Sequence, residues 1–530
     1  MNLKKGLMVL IMSIVFMTSM FSGCSNEKNT DKSVNNKELV IAVAQETLST
    51  DVQQSPSNDI VAYMMYEPLI RYGLDGSTLV PGAAESFEIS SDGLNITFKL
   101  HKDAVFSNGD PLNSEAVKSS FERFKAISGY ADFISPIDKI ETPDAQTVVF
   151  KCSKQPGYML PALARAIGGI INTSAAEKAG KEEFNKNAIT YGPMYVKEWV
   201  KGSYVTLSKN ENFKTTNPSF KNKGALNIDT LKIRFIPNNF TRVSELISGN
   251  VDVLMDVPAE SLESLKSNNN IQVFEGKSNA IQFIEMNVLK KPLNDLKVRT
   301  ALALAINRDE LKTALNGTIE PVYGPQAPTW IAYNSEAEEQ FKKDYAHNLE
   351  KAKTLLAEAG YKDSNNDGIV EKDGAPLNLT LILPAGSPDL KTIGPVIQSQ
   401  FKNAGIGLEL KELDWGGISQ EVQSGNYDMF VNGSSWLDSH MLWYDYYGNA
   451  RLKDSGIGQE LDKLLDEAKY MTDLNERTET YGEACELIMS YLPNISLYTP
   501  KSYMAARKNI KNITLNKDGM IYGINDVVKE

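Results

Sequence analysis

The sequence predicts an α/β protein built from more than one structural unit. Its 530 residues exceed one ordinary core and suggest roughly two to four units. In the second half, Leu377-NLTLILP and Gly407-LELKELDW alternate as strands between segments of helical apolar spacing. Hydrophobic residues make up 42% and charged residues 23%, the balance of a folded soluble chain. The net charge of -12 argues against a nucleic-acid partner and leaves room for a cationic or zwitterionic ligand. The three cysteines form no CxxC pair, and there are only three histidines (His101, His347, His440). Cys152 and Cys485 are expected as buried free thiols, since a chain of this size needs no staple; a disulfide between them is the alternative.

The N-terminus reads as a targeting segment. Lys4 and Lys5 precede Gly6-LMVLIMSIVFMTSMF, an apolar run too short for a comfortable membrane span. Small residues then precede Cys24, as in the lipobox of bacterial lipoproteins, with Phe21 where an aliphatic residue is usual. Residues 1–23 are therefore expected to be a lipoprotein signal peptide, Cys24 the lipid attachment point, and 24–37 a disordered tether.

The folded part opens with Glu38-LVIAVAQ, a buried strand by composition. Ile60-VAYMMYEPLIRYGLDGS begins at helical spacing and is turned by Pro68 and Asp75-Gly76. Phe87-EISSDGLNITFKLHKDAVFSNGDPL reads as strand, turn, strand, turn, with Ile96, Phe98 and Leu100 alternating. Asn113-SEAVKSSFERFKA reads as a helix capped by Asn113 or Ser114. Val298, Ala301, Leu302, Ala305 and Ile306 form one apolar helical face; Ala352, Leu355, Leu356 and Ala359 form another, stopped by Gly360. Asp363-SNNDGIVE has the start of a calcium loop, but its twelfth position is Gly374, so it reads as a polar turn. Glu460 to Glu486 reads as two charged amphipathic helices, and Asn494-ISLYTP as a closing strand. Between them, Asp428 to Tyr447 reads as a strand that breaks at Asn432-Gly433-Ser434-Ser435 and then presents Trp436, Asp438, His440 and Trp443.

Five stretches, in order, resemble the peptide- and nickel-binding family of bacterial ABC-transporter solute-binding proteins, over roughly residues 38 to 510. They are YEPLIRYGLDGS with SFEISSDGLNITFKLHKDAVFSNGDPLNSEAV, Tyr191-GPMYVKEWVKGSYVTLSKNENF, Val298-RTALALAINRDEL, Ala352-KTLLAEAGYKDSNNDG, and Gly425-NYDMF leading into the Trp436 stretch. The resemblance implies a two-lobed periplasmic-binding-protein-like fold of type II, the Venus-flytrap kind, with a subdomain inserted in lobe one. Mapped here, lobe one spans 38–280 with the subdomain at about 80–185, lobe two spans 281–495, and 496–530 returns to lobe one.

The same resemblance implies a non-catalytic, monomeric, lipid-anchored protein on the outer face of the cell membrane. It would bind oligopeptides between the lobes and deliver them to ABC permease subunits. No GxSxG, HExxH, Walker A or GxGxxG motif supports the rival reading, a secreted lipid-anchored hydrolase. No cofactor or metal is expected. Among peptide binders an aspartate shortly after the Trp pairs with the ligand amine; Asp438 matches, one residue closer to Trp436 than usual. The alternative for Asp438 is a helix N-cap. The candidate ligand set is Trp436, Asp438, Ser435, His440 and Trp415. The loop Pro384-Ala385-Gly386-Ser387 lacks the arginine of dipeptide binders, and Gly448-NARLKDSGIG lacks the histidine of nickel-chelate binders. A nickel or other metal chelate is therefore the second ligand class.

Overall fold

The computed structural model describes residues 37–55, 59–453, 455–516 and 519–530. The signal segment, the tether and Cys24 lie outside the described residues.

Lobe one begins with β1 (Glu38–Val43), whose Leu39 and Ile41 are fully buried, and α1 (Ile60–Met65), capped by the Asp59 carboxylate, which accepts from the Ala62 N–H at 2.9 Å. The inserted subdomain follows, with β2 (Ala84–Ile89), β3 (Asn95–Leu100), α2 (Ser114–Ile127), β4 (Ile137–Asp144), β5 (Thr147–Cys152) and α3 (Met159–Leu163). Its strands form an antiparallel sheet in the order β2-β3-β5-β4. Asn113 caps α2, its side chain accepting from Ala116 N–H at 3.0 Å. Phe121 of α2 packs edge-on against Phe150 at 4.9 Å, closing the subdomain core. That core runs from Leu69 to Tyr191 and takes in Phe213, so it is wider at both ends than 80–185.

The chain returns to lobe one through β6 (Met194–Val200), β7 (Tyr204–Lys209), β8 (Thr230–Phe235), β9 (Val253–Leu254) and β10 (Ile271–Lys277). Lobe two starts at β11 (Ala280–Met286) and continues through α4 (Leu296–Ala305), α5 (Leu349–Glu358), β12 (Asn378–Pro384), α6 (Pro388–Asn403), β13 (Gly407–Leu413) and β14 (Met429–Ser435). It ends with α7 (Met441–Tyr446), α8 (Gly458–Tyr470), α9 (Leu474–Tyr491) and β15 (Asn494–Arg507). In α4 the apolar face is Val298, Ala301, Leu302, Ala305, all fully buried. Parallel pairing of β1 with β8 and of β12 with both β13 and β14 gives each lobe an α/β centre.

The two sheets are joined through one strand. The order is β13-β12-β14-β11-β15-β9-β1-β8-β7-β6, with β10 also on β15. The first half of β15 pairs with β11 in lobe two; its second half, from Lys501, pairs with β10 in lobe one. The closing strand is therefore longer than Asn494-ISLYTP suggests. A proline ordinarily ends a strand because it lacks a ladder donor. Pro500 is tolerated because it sits where β15 passes from one sheet to the other. The second crossing, Ser278–Asn279 between β10 and β11, is held by side chains: Thr329 and Thr499 hydroxyls donate to Ser278 O at 3.0 and 3.2 Å, and Trp330 Nε1 donates to Asn279 O at 2.7 Å.

The segment beyond β15 packs Ile510, Ile521, Ile524 and Val527 into the lobe-one core. Cys152 and Cys485 are both buried free thiols, one in the subdomain core and one in the lobe-two core. No helix among the described residues is long and apolar enough to cross a membrane.

Candidate functional site

Strand β14 runs four residues further than the sequence suggests. Asn432 to Ser435 stay in register with β11, ending with Ser435 opposite Ala280. Polar residues there read as a break, yet they are ladder members whose backbone pairs while their side chains alternate. The strand delivers Trp436 and Leu437 to the gap between the lobes.

A cavity of about 50 Å³ lies in that gap. Lobe one supplies Tyr63, Arg71, Tyr72, Arg165 and Tyr522; lobe two supplies Thr329 and Leu437; the crossing segment supplies Asn279. A larger hollow of about 370 Å³, around Val43, Asp59, Phe235 and Met255, is lined by lobe one alone. Only the smaller one is made by both lobes together, so only it changes when they move.

Two guanidinium groups face this cavity. Arg71 is 7% exposed and bonded to Glu67 at 3.0 Å through Nε, and to Tyr522 O and Tyr66 O. Burial lifts the Glu67 carboxyl above its usual range, against the pull of Arg71. Arg165 follows directly on α3. It donates to the Tyr63 hydroxyl at 3.4 Å and lies 5.8 Å from the Trp436 ring centre, a cation–π approach. Trp436 itself is not in the cavity wall; beside Arg165, its ring stacks on Phe133 of the subdomain, at 5.1 Å and 17°. Trp436 thus sits at the contact between lobes as a half-buried bridge.

Asp438 requires a correction. It is fully buried, and both carboxylate oxygens accept from Arg477 of α9, at 2.6 and 2.7 Å. Its Oδ1 also accepts the His440 N–H at 2.8 Å. Burial alone would lower the Arg477 pKa; the Asp438 charge overcomes it and holds the guanidinium above its usual range. A ligand amine would have to displace a bidentate guanidinium to reach this carboxylate. Neither is Asp438 an N-cap: α7 begins after His440, with no side-chain cap. Asp438 is a strut that fixes the loop carrying Trp436 and Leu437. The Ser439 hydroxyl, bonded to Ile331 O and Gln326 Nε2, fixes it from the other side.

The remaining candidates are scattered. His440 is 1% exposed and packs on Tyr158, Trp443 and Tyr444 at 4.8, 5.6 and 5.0 Å. Burial, then the nearby Lys469 and Arg477 charges, push its pKa well below the ordinary histidine value, so it is neutral near pH 7. Its ring does not line the cavity. Ser435 is exposed at the end of β14, and Trp415 is 55% exposed at the start of helix Trp415–Ser424, outside the cavity wall. Among the described residues, no group of three or more His, Cys, Asp or Glu is arranged to hold a metal ion.

Sequence reasoning passed over Arg71, Arg165 and Arg477. Arg165 carried a signal: it is the only charged residue between Lys154 and Glu177, inside an apolar run. A charge kept in such a run marks a packed and partnered site. Arg477 carried none, because a charged helix offers many arginines and lysines of equal standing.

The family model described as bacterial extracellular solute-binding proteins, family 5 middle, matches residues 78–454. The oligopeptide-binding protein AppA of Bacillus subtilis is 25% identical over 97% of this chain and 97% of its own. The probable D,D-dipeptide-binding periplasmic protein DdpA of Escherichia coli is 27% identical over 90% of this chain and 91% of its own. The crystal structure of NikZ from Campylobacter jejuni in complex with Ni(L-His) superposes with a TM-score of 0.73 at 25% identity, covering 93% of this chain and 100% of that one. The two-lobed architecture is the type II periplasmic-binding-protein fold. With one family model spanning well over half of its length and lobes that meet around a shared cavity, this chain belongs to the family 5 extracellular solute-binding proteins, the substrate-binding components of ABC importers.

Proposed function

We propose that this protein captures a small peptide-class ligand bearing a free carboxylate and presents it, enclosed between the lobes, to an ABC permease. The observation that carries the reading is the cavity lined from both lobes with Arg165 in its wall, beside an Arg71 already held by Glu67. A guanidinium in a desolvated cleft is suited to a carboxylate, which it meets with two parallel hydrogen bonds. A cavity of about 50 Å³ is far below the roughly 300–1,000 Å³ of a drug-sized pocket, so the lobes must part further to admit any peptide. Because ligand touches both lobes only when they meet, binding favours the closed state by the difference in affinity between states. Tyr63, Tyr72 and Tyr522 supply apolar faces with hydroxyl ends, which fit a short chain of mixed polarity.

A carboxylate-rich metal chelate is the second reading. Arg165 would take one of its carboxylates while the metal keeps its own ligands, and the structural likeness to a nickel–histidine complex favours it. Native mass spectrometry of protein purified from cells tests both. The expected result is a bound mass of a di- or tripeptide, released on unfolding. A metal-containing mass replaces the first reading by the second, and a neutral sugar overturns both.

The reading includes a lipid anchor at Cys24, supported by the short apolar run and the small residues before that cysteine. Cys24→Ala is expected to move the protein from the membrane fraction to the medium. Retention of a processed Cys24→Ala protein on membranes would remove the anchor from the proposal.

A further inference from the structure

The lobes also meet away from the cavity, at a contact made by backbone. The subdomain segment Gln155–Tyr158 lies against the C-terminal end of α8 in lobe two. Gly157 N–H donates to Tyr470 O at 3.2 Å, and Tyr158 N–H donates to Lys469 O at 2.9 Å. The Thr472 hydroxyl approaches Gln155 Oε1 at 3.5 Å. These two N–H groups satisfy carbonyls that the C-terminal turn of α8 leaves without helical partners.

Side chains complete the contact. Tyr158 is 3% exposed, with its ring at 4.8 Å from His440 and 5.8 Å from Tyr470, both of lobe two. The Lys469 ammonium lies 4.8 Å from the Tyr158 ring and 3.9 Å from that of Trp443. From the subdomain side, the Lys154 ammonium reaches over Tyr470 at 4.1 Å. The Tyr158 hydroxyl is held within the subdomain by Ser135 Oγ at 2.6 Å and by Asp132 O at 2.8 Å. Tyr158 is thus fixed by its own lobe and sheathed by the other.

The segment borders the cavity closely. Tyr158 precedes the five residues of α3, and Ala164 and Arg165, at the far end of that helix, line the cavity. In lobe two, Leu437 lines the cavity and His440, three residues on, covers Tyr158. A five-residue helix spans only about 7–8 Å.

We propose that Gln155–Tyr158 is a clasp that shuts one flank of the inter-lobe cleft, and that Gly157 thereby limits the length of ligand this protein accepts. The inference rests on the peptide-class reading above, which it deepens. A ligand that projected past Arg165 toward Tyr158 would hold Gly157 and Tyr158 away from Lys469 and Tyr470. It would forfeit two backbone hydrogen bonds and expose the Tyr158 and His440 rings. A ligand that ends at Arg165 leaves the clasp free to form.

Glycine is required at the centre of this contact for a steric reason. A Cβ on Gly157 would fall 2.1 Å from Met471 O and 2.9 Å from the carbonyl carbons of Met471 and Tyr470, all of them backbone atoms of the other lobe. Gly157 does not use the left-handed region, so alanine fits the open state without strain. Gly157→Ala is therefore a change that the subdomain tolerates and the closed state does not.

The test has two arms. Spin labels on Glu122→Cys in α2 and Glu467→Cys in α8 report the lobe separation in the mature protein with no peptide added. A closed-distance population is expected in the parent and its loss in Gly157→Ala, with the melting temperature within a few degrees. Tyr470→Ala, which removes one ring of the sheath from a partly exposed position, is expected to shift the population the same way and serves if Gly157→Ala folds poorly. In the second arm, dialanine, tetraalanine and hexaalanine are titrated by calorimetry. The parent is expected to bind dialanine at least tenfold tighter than hexaalanine, and Gly157→Ala to lose that discrimination. Identical label distances in parent and variant, or equal affinity of the parent for all three peptides, overturn the clasp. If no peptide binds while the distances shift as expected, the peptide reading fails and the clasp stands.

Discussion

Asp438→Ala is expected to unfold lobe two at a markedly lower temperature, whatever ligand is present. Asp438 and Arg477 are 0% and 3% exposed and share two hydrogen bonds. Removing one partner of a buried pair leaves the other charge uncompensated, at a cost of about 3–5 kcal/mol. In a cooperative unit of about 200 residues that is a fall in Tm of roughly 6–20 °C. Replacing both partners, as Asp438→Leu with Arg477→Met, is expected to recover much of the loss, because a hydrophobic pair of similar volume is often neutral or stabilising. The double-mutant cycle by thermal melts measures that coupling. The rival role, recognition of a ligand amine, makes a different forecast. It requires Asp438→Asn to keep its stability and to bind free-amine and N-acetylated peptides alike. Were that found, the strut described above would be the wrong assignment.

Arg165→Met is expected to cost more affinity than any other single change in the cavity. Truncating one member of a buried charge pair across an interface costs about 2–5 kcal/mol. That corresponds to a loss of about 30- to 5,000-fold in affinity. Methionine preserves most of the stem that packs beside Trp436, so the effect should fall on binding and not on Tm. Ligand chemistry isolates the contact. A C-terminally amidated short peptide should bind the parent poorly, and Arg165→Met should weaken its binding little further. Arg165→Lys should recover only part of the loss, since an ammonium cannot match a carboxylate with two parallel bonds. Equal losses for the acid and the amide would place the carboxylate elsewhere, with Arg71 as the next group to examine.

Most of the architecture was legible from the chain because it rests on local periodicity. The apolar faces of α4 and α5, the cap at Asn113 and the alternation of Ile96, Phe98 and Leu100 each follow from nearest-neighbour chemistry. Trp436 was legible as an aromatic placed directly after a strand. What was hidden depends on contacts between distant residues. The partner of Asp438 lies 39 residues away in a helix of ordinary composition. Asn432 to Ser435 looked like a break because polarity was read as solvent exposure, whereas β11 supplies a ladder for them. Pro500 looked like a terminus because the change of partner sheet at that point cannot be seen from one strand alone.

Strand β15 restricts how the two lobes can travel. It is laddered to β11 on one side of Pro500 and to β10 on the other. Sliding one lobe past the other along this strand would break a whole row of hydrogen bonds at once, and moving the lobes straight apart would tear the strand itself. Twisting it near Pro500 strains only the short ladder to Ile319–Pro321 on its other edge. Closure is therefore a rotation with a nearly fixed axis, a hinge and not a shear. A mechanism with a fixed axis has one track: each opening angle implies a single separation between Trp436 and Phe133. A permease that sensed any point on the two outer surfaces would thereby sense the whole closure.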